Sequence, residues 1–90
     1  MVANREVEII NKLGMHARAA AKFVKLASSF NSVIEIERKQ QRINGKSIMG
    51  VMMLAASKGT HITIHANGED AEDAIDKLVE LVKNRFDENE

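Results

Sequence analysis

An α+β fold is predicted for this 90-residue chain, with a four-stranded antiparallel sheet covered on one side by three helices in the order β-α-β-β-α-β-α. Three observations predict it. Hydropathy alternates with period two in four short segments, the mark of strands. Between and after them, apolar residues recur at helical spacing in three segments. Each strand has one apolar and one polar face, which suits an antiparallel sheet with helices on a single side rather than a parallel sheet buried on both. Ninety residues leave room for one domain, spanning 1–90.

The first strand is expected over about residues 3–10, where Val7 and Ile9 alternate with Glu6, Glu8 and Ile10. Asn11-Lys12-Leu13-Gly14 breaks the pattern as a loop. Ala17 to Ser29 is alanine-rich and free of Gly and Pro, so it has good helix propensity. Its apolar stripe is Ala20, Phe23, Val24, Ala27 and Phe30, and its charges Arg18, Lys22 and Lys25 lie on another face. Val33 to Glu37 alternates as a second strand, and Gln40 to Ile43 follows as a short third one, after a hairpin around Arg38-Lys39. Asn44-Gly45 is a turn, and Ser47 is a suitable N-cap for a short helix from Ile48 to about Leu54. Val51, Leu54 and Ala55 of this segment can face the core. Lys58-Gly59 turns the chain into the clearest alternating strand, His61 to Ala66. Asp70 is expected to cap the last helix, with Asp73 three residues on. Its buried stripe is Ala71, Ala74, Ile75, Leu78, Leu81, Val82 and Phe86, and the tail from Asp87 is expected to fray.

Composition excludes several functions. There is no cysteine, hence no disulfide scaffold, thiolate zinc site or cysteine nucleophile. With three phenylalanines as the only aromatic residues, the strands lack the rings on which nucleic-acid bases stack. The amino terminus has no apolar run of the signal-peptide kind, and Ile48 to Ala56 is too short to span a bilayer. A cytoplasmic monomer that neither binds nucleic acid nor inserts into a membrane is expected. Charge is balanced overall but not along the chain: residues 1–68 carry net +6 and residues 69–90 net −6. A basic face for an acidic partner is compatible with that split.

Most sites of chemistry fail on spacing. Asn44-Gly45-Lys46-Ser47 ends like a P-loop, but position 40, where the first glycine belongs, is Gln40. His61 and His65 share a strand face yet lie roughly 13 Å apart along it, too far to bind one ion, so both are read as solvent-facing. No metal site is expected. His16 differs because it stands between a glycine-containing loop and a helix start, where unpaired N–H groups favour an anion. Imidazole is nucleophilic near neutral pH. No carboxylate lies in Lys12 to His16 to orient it, and a plain N-cap or surface histidine is the alternative reading. Ile48, Met49 and Met52 cannot all reach the core with Val51 and Leu54. They either fill an irregular core gap or form an exposed docking patch.

Gly14-Met15-His16-Ala17-Arg18 closely resembles the active-site motif of the HPr family, the histidine-containing phosphocarriers of the bacterial phosphotransferase system. Asn44 to Met52 is similar to that family's regulatory-serine region, at compatible spacing, and the resemblance covers essentially the whole chain. Asn11 to His16 and Phe86-Asp87-Glu88 are also similar to the nitrogen-branch relative, NPr. The resemblance implies an open-faced β-sandwich and a phosphocarrier rather than an enzyme, with no cofactor. His16 would accept a phosphoryl group on Nδ1 from phosphorylated enzyme I, which draws on phosphoenolpyruvate. It would pass the group to an EIIA-type component in sugar uptake or its regulation. Arg18 and the Ala17 N–H would stabilise the phosphate. Ser47 would be the target of an HPr kinase/phosphorylase, besides serving as a cap. Met15, Lys22, Lys25, Ile48, Met49 and Met52 would meet partners. The family usually has proline where this chain has Ala19. Alanine keeps helix propensity and adds one N–H, so the helix start is expected to survive. Two alternatives remain, a nitrogen-branch regulatory carrier and a regulatory module that docks without transferring phosphate. His16 argues against the second, since family members of that kind can lack the histidine.

Overall fold

In the computed structural model, which describes residues 1–90, strand β4 (His61–Asn67) lies inside the sheet. It pairs antiparallel with β1 (Val2–Glu8) on one side and β2 (Val33–Arg38) on the other; β3 (Gln41–Asn44) completes the order β1-β4-β2-β3. Register aligns the apolar faces. Val7 sits opposite Ile62, Ile36 opposite Ile64, and Ile34 opposite Ala66. All six are buried and meet the helices, so strand periodicity and core position agree. Glu6, Glu35, Glu37 and Thr63 occupy the other, uncovered face.

Helix α1 (Ala17–Ser28) and helix α3 (Ala71–Lys83) pack on the apolar face with the shorter α2 (Ile48–Met53). Phe23 of α1 and Leu78 of α3 are fully buried. Ala19, Ala20 and Ala27 face inward too, small residues that allow close approach of α1. The Val24 and Phe30 ends of the expected stripe are half-buried. The α3 stripe also includes Val79, whereas Leu81 is only half-buried.

The other departures from expectation fall at element ends. Strand β1 stops at Glu8 because Ile9 leaves the ladder: its N–H donates to Thr60 O at 2.8 Å and its carbonyl accepts from Gly59 N at 2.7 Å. The β2–β3 hairpin turns on Lys39 and Gln40, both at positive φ (51° and 68°), so β3 begins at Gln41. Helix α2 ends at Met53. Ala55 is then left-handed (φ 51°) and exposed, and Ala56 takes the core position expected for it. Ser47 caps α2 as expected, its Oγ accepting from Gly50 N at 3.1 Å. Asp70 makes no side-chain cap on α3; its carboxylate instead accepts from the N–H groups of Asn31 and Ser32 and from the Ser32 hydroxyl.

The tail does not fray. After α3 the chain makes a left-handed turn over Arg85–Asp87, with φ values of 57°, 52° and 64°. Left-handed geometry is unfavourable by roughly 1–2 kcal/mol per non-glycine residue. Phe86 is fully buried within that turn, and its carbonyl accepts from Lys22 Nζ at 2.8 Å. Burial of an aromatic ring supplies the offsetting hydrophobic gain. The turn sends residues 88–90 back toward the start of α1, where Lys12 N donates to Glu90 O at 2.5 Å.

Candidate functional site

The loop before α1 is shaped by one glycine and one buried amide. Gly14 has φ 67°, and a Cβ there would stand 2.7 Å from Ala56 O and 2.8 Å from Ser57 Cα, so both conformation and space demand glycine. Asn11 is fully buried, and its Nδ2 donates to Gly14 O at 2.8 Å, closing the loop from inside. Met15 N donates to Ala56 O at 2.8 Å, which anchors the next residue against the chain after α2. Its side chain is only 5% exposed and belongs to the core. Met15 is therefore corrected from a partner-contact residue to a packing residue.

His16 follows as the N-cap of α1, with extended backbone (φ −78°, ψ 180°). Its carbonyl accepts the first helical bond, from Ala20 N at 2.8 Å, which leaves Ala17, Arg18 and Ala19 with N–H groups that have no helical acceptor. The imidazole does not cap the helix. It faces a depression of about 800 Å³ lined by Lys12, Leu13, His16, Ala17, Arg18, Glu88, Asn89 and Glu90. Within it, Nε2 lies 2.5 Å from Glu88 Oε2, and the other carboxylate oxygen accepts from Asn11 Nδ2 at 2.9 Å. Partial burial pushes the Glu88 carboxyl up. The Asn11 and His16 hydrogen bonds and the nearby positive charge of Arg18 outweigh that, so it sits below the ordinary glutamate range.

The structure gathers His16, Ala17 and Arg18 around one depression. Arg18 and Ala17 are exposed there. Lys22 is half-buried; besides its bond to Phe86 O, its Nζ lies 3.9 Å from Asp87 Oδ2. Lys25, one turn further on, is exposed. Ser47 stands just before α2, as its N-cap, outside the depression. Of the apolar residues left over on α2, Ile48, Met49 and Met52 are 45%, 71% and 39% exposed, so they do not fill a core gap. Met53 (68%) and Leu13 (66%) extend the exposed apolar set and were not singled out by the sequence pattern. Leu13 borders the His16 depression, and α2 packs beside α1.

Glu88 and Asn11 are the residues that sequence reasoning missed. They lie 72 positions after His16 and 77 positions before Glu88, respectively, and nothing in local periodicity links them. On the opposite face His65 is mostly covered, with Nε2 2.8 Å from Glu37 Oε1, whereas His61 is exposed as expected. No group of three or more His, Cys, Asp or Glu side chains is gathered to hold a metal ion, and no helix is long and apolar enough to cross a membrane.

Fold and site together define a small α+β protein that presents a histidine at the start of its first sheet-covering helix. Residues 3–84 match the family model described as PTS HPr component phosphorylation site. The chain is 56% identical to phosphocarrier protein HPr of Pseudomonas putida over 87 residues, covering 96% of this chain and 97% of that one. Phosphocarrier protein NPr of Shewanella violacea is 43% identical over 84 residues, covering 93% and 92% of the two chains. Among solved structures, HPr-C-His from Thermoanaerobacter tengcongensis matches with a TM-score of 0.94 and 44% identity over 98% of this chain and 99% of that one. A structure described as an HPr dimer from the same organism matches at 0.78 and 48% identity, covering 91% and 94%. The chain belongs to the HPr family, the phosphocarrier proteins of the phosphotransferase system.

Proposed function

We propose that this chain accepts a phosphoryl group on His16 from phosphorylated enzyme I and hands it to an EIIA-type component. The observation that carries the reading is the environment of His16. Its ring borders an open depression, with Arg18 on the rim and unpaired helix N–H groups behind it. Nε2 is engaged by Glu88, which leaves Nδ1 as the nitrogen available for attack. Phosphate arriving there would meet the positive end of α1 and one exposed guanidinium. That is enough to steady a dianion and too little to trap it, as a carrier requires.

The exposed Ile48, Met49 and Met52 of α2, which packs beside α1, suit brief docking to a partner; Lys22 and Lys25 border a separate depression with Leu26, Leu81 and Asp87, on the α3 side of α1, from which exposed positive charge can steer an acidic partner. Ser47 phosphorylation would place charge beside that apolar surface and occupy the oxygen that now caps Gly50 N. It would weaken docking. The greater identity to HPr of P. putida than to NPr of S. violacea favours the sugar branch over the nitrogen branch.

The test is incubation with enzyme I and phosphoenolpyruvate, followed by mass spectrometry and a comparison of acid and base lability. One acid-labile, base-stable phosphate, absent from a folded His16→Ala variant, is expected. Undiminished labelling of His16→Ala overturns the assignment.

A further inference from the structure

We propose that Glu88 is a positioning residue for the phosphoryl acceptor, holding the His16 ring by Nε2 and offsetting the positive charge the ring acquires when Nδ1 attacks. This rests on the phosphocarrier reading above. Four observations support it independently of any motif. The Nε2 to Oε2 separation is 2.5 Å. The carboxylate is 15% exposed and the imidazole 29%, so water competes weakly for the bond. The second carboxylate oxygen is held at 2.9 Å by Asn11, a fully buried amide that also closes the Gly14 loop. Finally, the left-handed turn at Arg85–Asp87 and the burial of Phe86 bring the tail back to His16.

The chemistry explains why a carboxylate belongs there. A neutral imidazole carries its proton on one nitrogen and its lone pair on the other. Glu88 can only accept, so it keeps the proton on Nε2 and the lone pair on Nδ1. In the transfer, that lone pair forms the bond to phosphorus as the donor's bond to phosphorus breaks. The bonding electrons return to the donor atom. The Nε2 proton stays in place, so the His16 ring becomes cationic, and the adjacent carboxylate stabilises it. The relationship is that of the carboxylate that orients a catalytic histidine and steadies its cation. Passing the phosphate on reverses the step. Arg18 on the same rim limits repulsion between Glu88 and the incoming phosphate.

The experiment compares wild type, Glu88→Ala and Glu88→Gln in full-length protein. It uses the rate of labelling by phosphorylated enzyme I and the proton NMR signal of the His16 Nε2–H. Wild type should show a downfield, exchange-protected signal. Glu88→Ala should lose that signal and accept phosphate at least about tenfold more slowly, as expected for a charge-assisted bond. Glu88→Gln, which keeps an acceptor without charge, should fall between the two. Glu88→Ala at the wild-type rate, or a slowed Glu88→Ala that retains the protected signal, overturns the proposal. A wild type that takes no phosphate overturns the carrier reading instead, while the Nε2–H signal still decides whether Glu88 holds the ring.

Discussion

Lys22 on α1 donates from Nζ to the backbone carbonyl of Phe86 at 2.8 Å, joining the first helix to the turn that returns the tail to His16. Lys22 and Lys25 are adjacent basic residues on one helix, but only Lys22 has this second role. Lys22→Met should therefore destabilise the protein by about 0.5–1.5 kcal/mol, the usual net value of one such bond. Lys25→Met should change stability by less than about 0.5 kcal/mol. Urea unfolding of both variants checks this, and equal stabilities would remove the tethering role of Lys22.

Lys25 is the cleaner probe of docking charge. Lys25→Glu should lower the rate of association with enzyme I several-fold at low salt and flatten its salt dependence, because exposed charges steer encounter and are screened over about 10 Å. Stopped-flow association at several salt concentrations is the measurement. An unchanged slope would place the docking charges elsewhere.

Arg18 is exposed at the rim of the His16 depression and makes no ion pair that holds the fold. Arg18→Ala should leave stability within about 0.5 kcal/mol of wild type. It should slow phosphoryl transfer by about ten- to a hundredfold through loss of a charged donor to the phosphate. Rapid-quench transfer kinetics at matched folded fraction test it. Wild-type kinetics would mean that the helix N–H groups suffice.

Met49 is 71% exposed on α2 and contributes little to the core. Met49→Glu should keep the unfolding midpoint and weaken enzyme I binding by about tenfold or more, as charge is forced into an apolar contact. Titration calorimetry is the check. Unaltered affinity would show that α2 is not part of the docking face.

Acid should loosen the Asp70 clamp. The hydroxyl of Ser32 and the N–H of Asn31 hold the Asp70 carboxyl below its ordinary value of 3.8, against the opposing effect of burial, with the Ser32 N–H adding to the downward shift. A depressed carboxyl contributes stability that is complete above its unfolded value and is lost as pH falls through its folded one. Asp70→Asn should therefore be less stable than wild type at neutral pH, and the gap should shrink as pH falls below about 4. Denaturant titrations across that range test it. A gap that stays constant down to strongly acidic pH would contradict the assignment.

The fold and half of the candidate site are legible in the sequence alone. Alternation placed Ile34, Ile36, Ile62 and Ile64 on one face, and the structure buries all four. Helical spacing placed Phe23 and Leu78 inside, and the Gly14 to Arg18 run marked a helix start with a histidine. Such features depend on neighbours a few residues apart, and local sequence encodes them directly. What the tertiary structure alone decided is where remote segments meet. Met15 turns inward because Gly14 adopts φ 67° against Ala56. Asp70 leaves its own helix to hold Ser32, 38 positions away. Glu88 reaches His16 only because three consecutive left-handed residues reverse the tail while Phe86 is drawn into the core. A carboxylate in an acidic tail looks like solvated charge in sequence. Its partner is set by a turn that local preference disfavours and long-range burial stabilises.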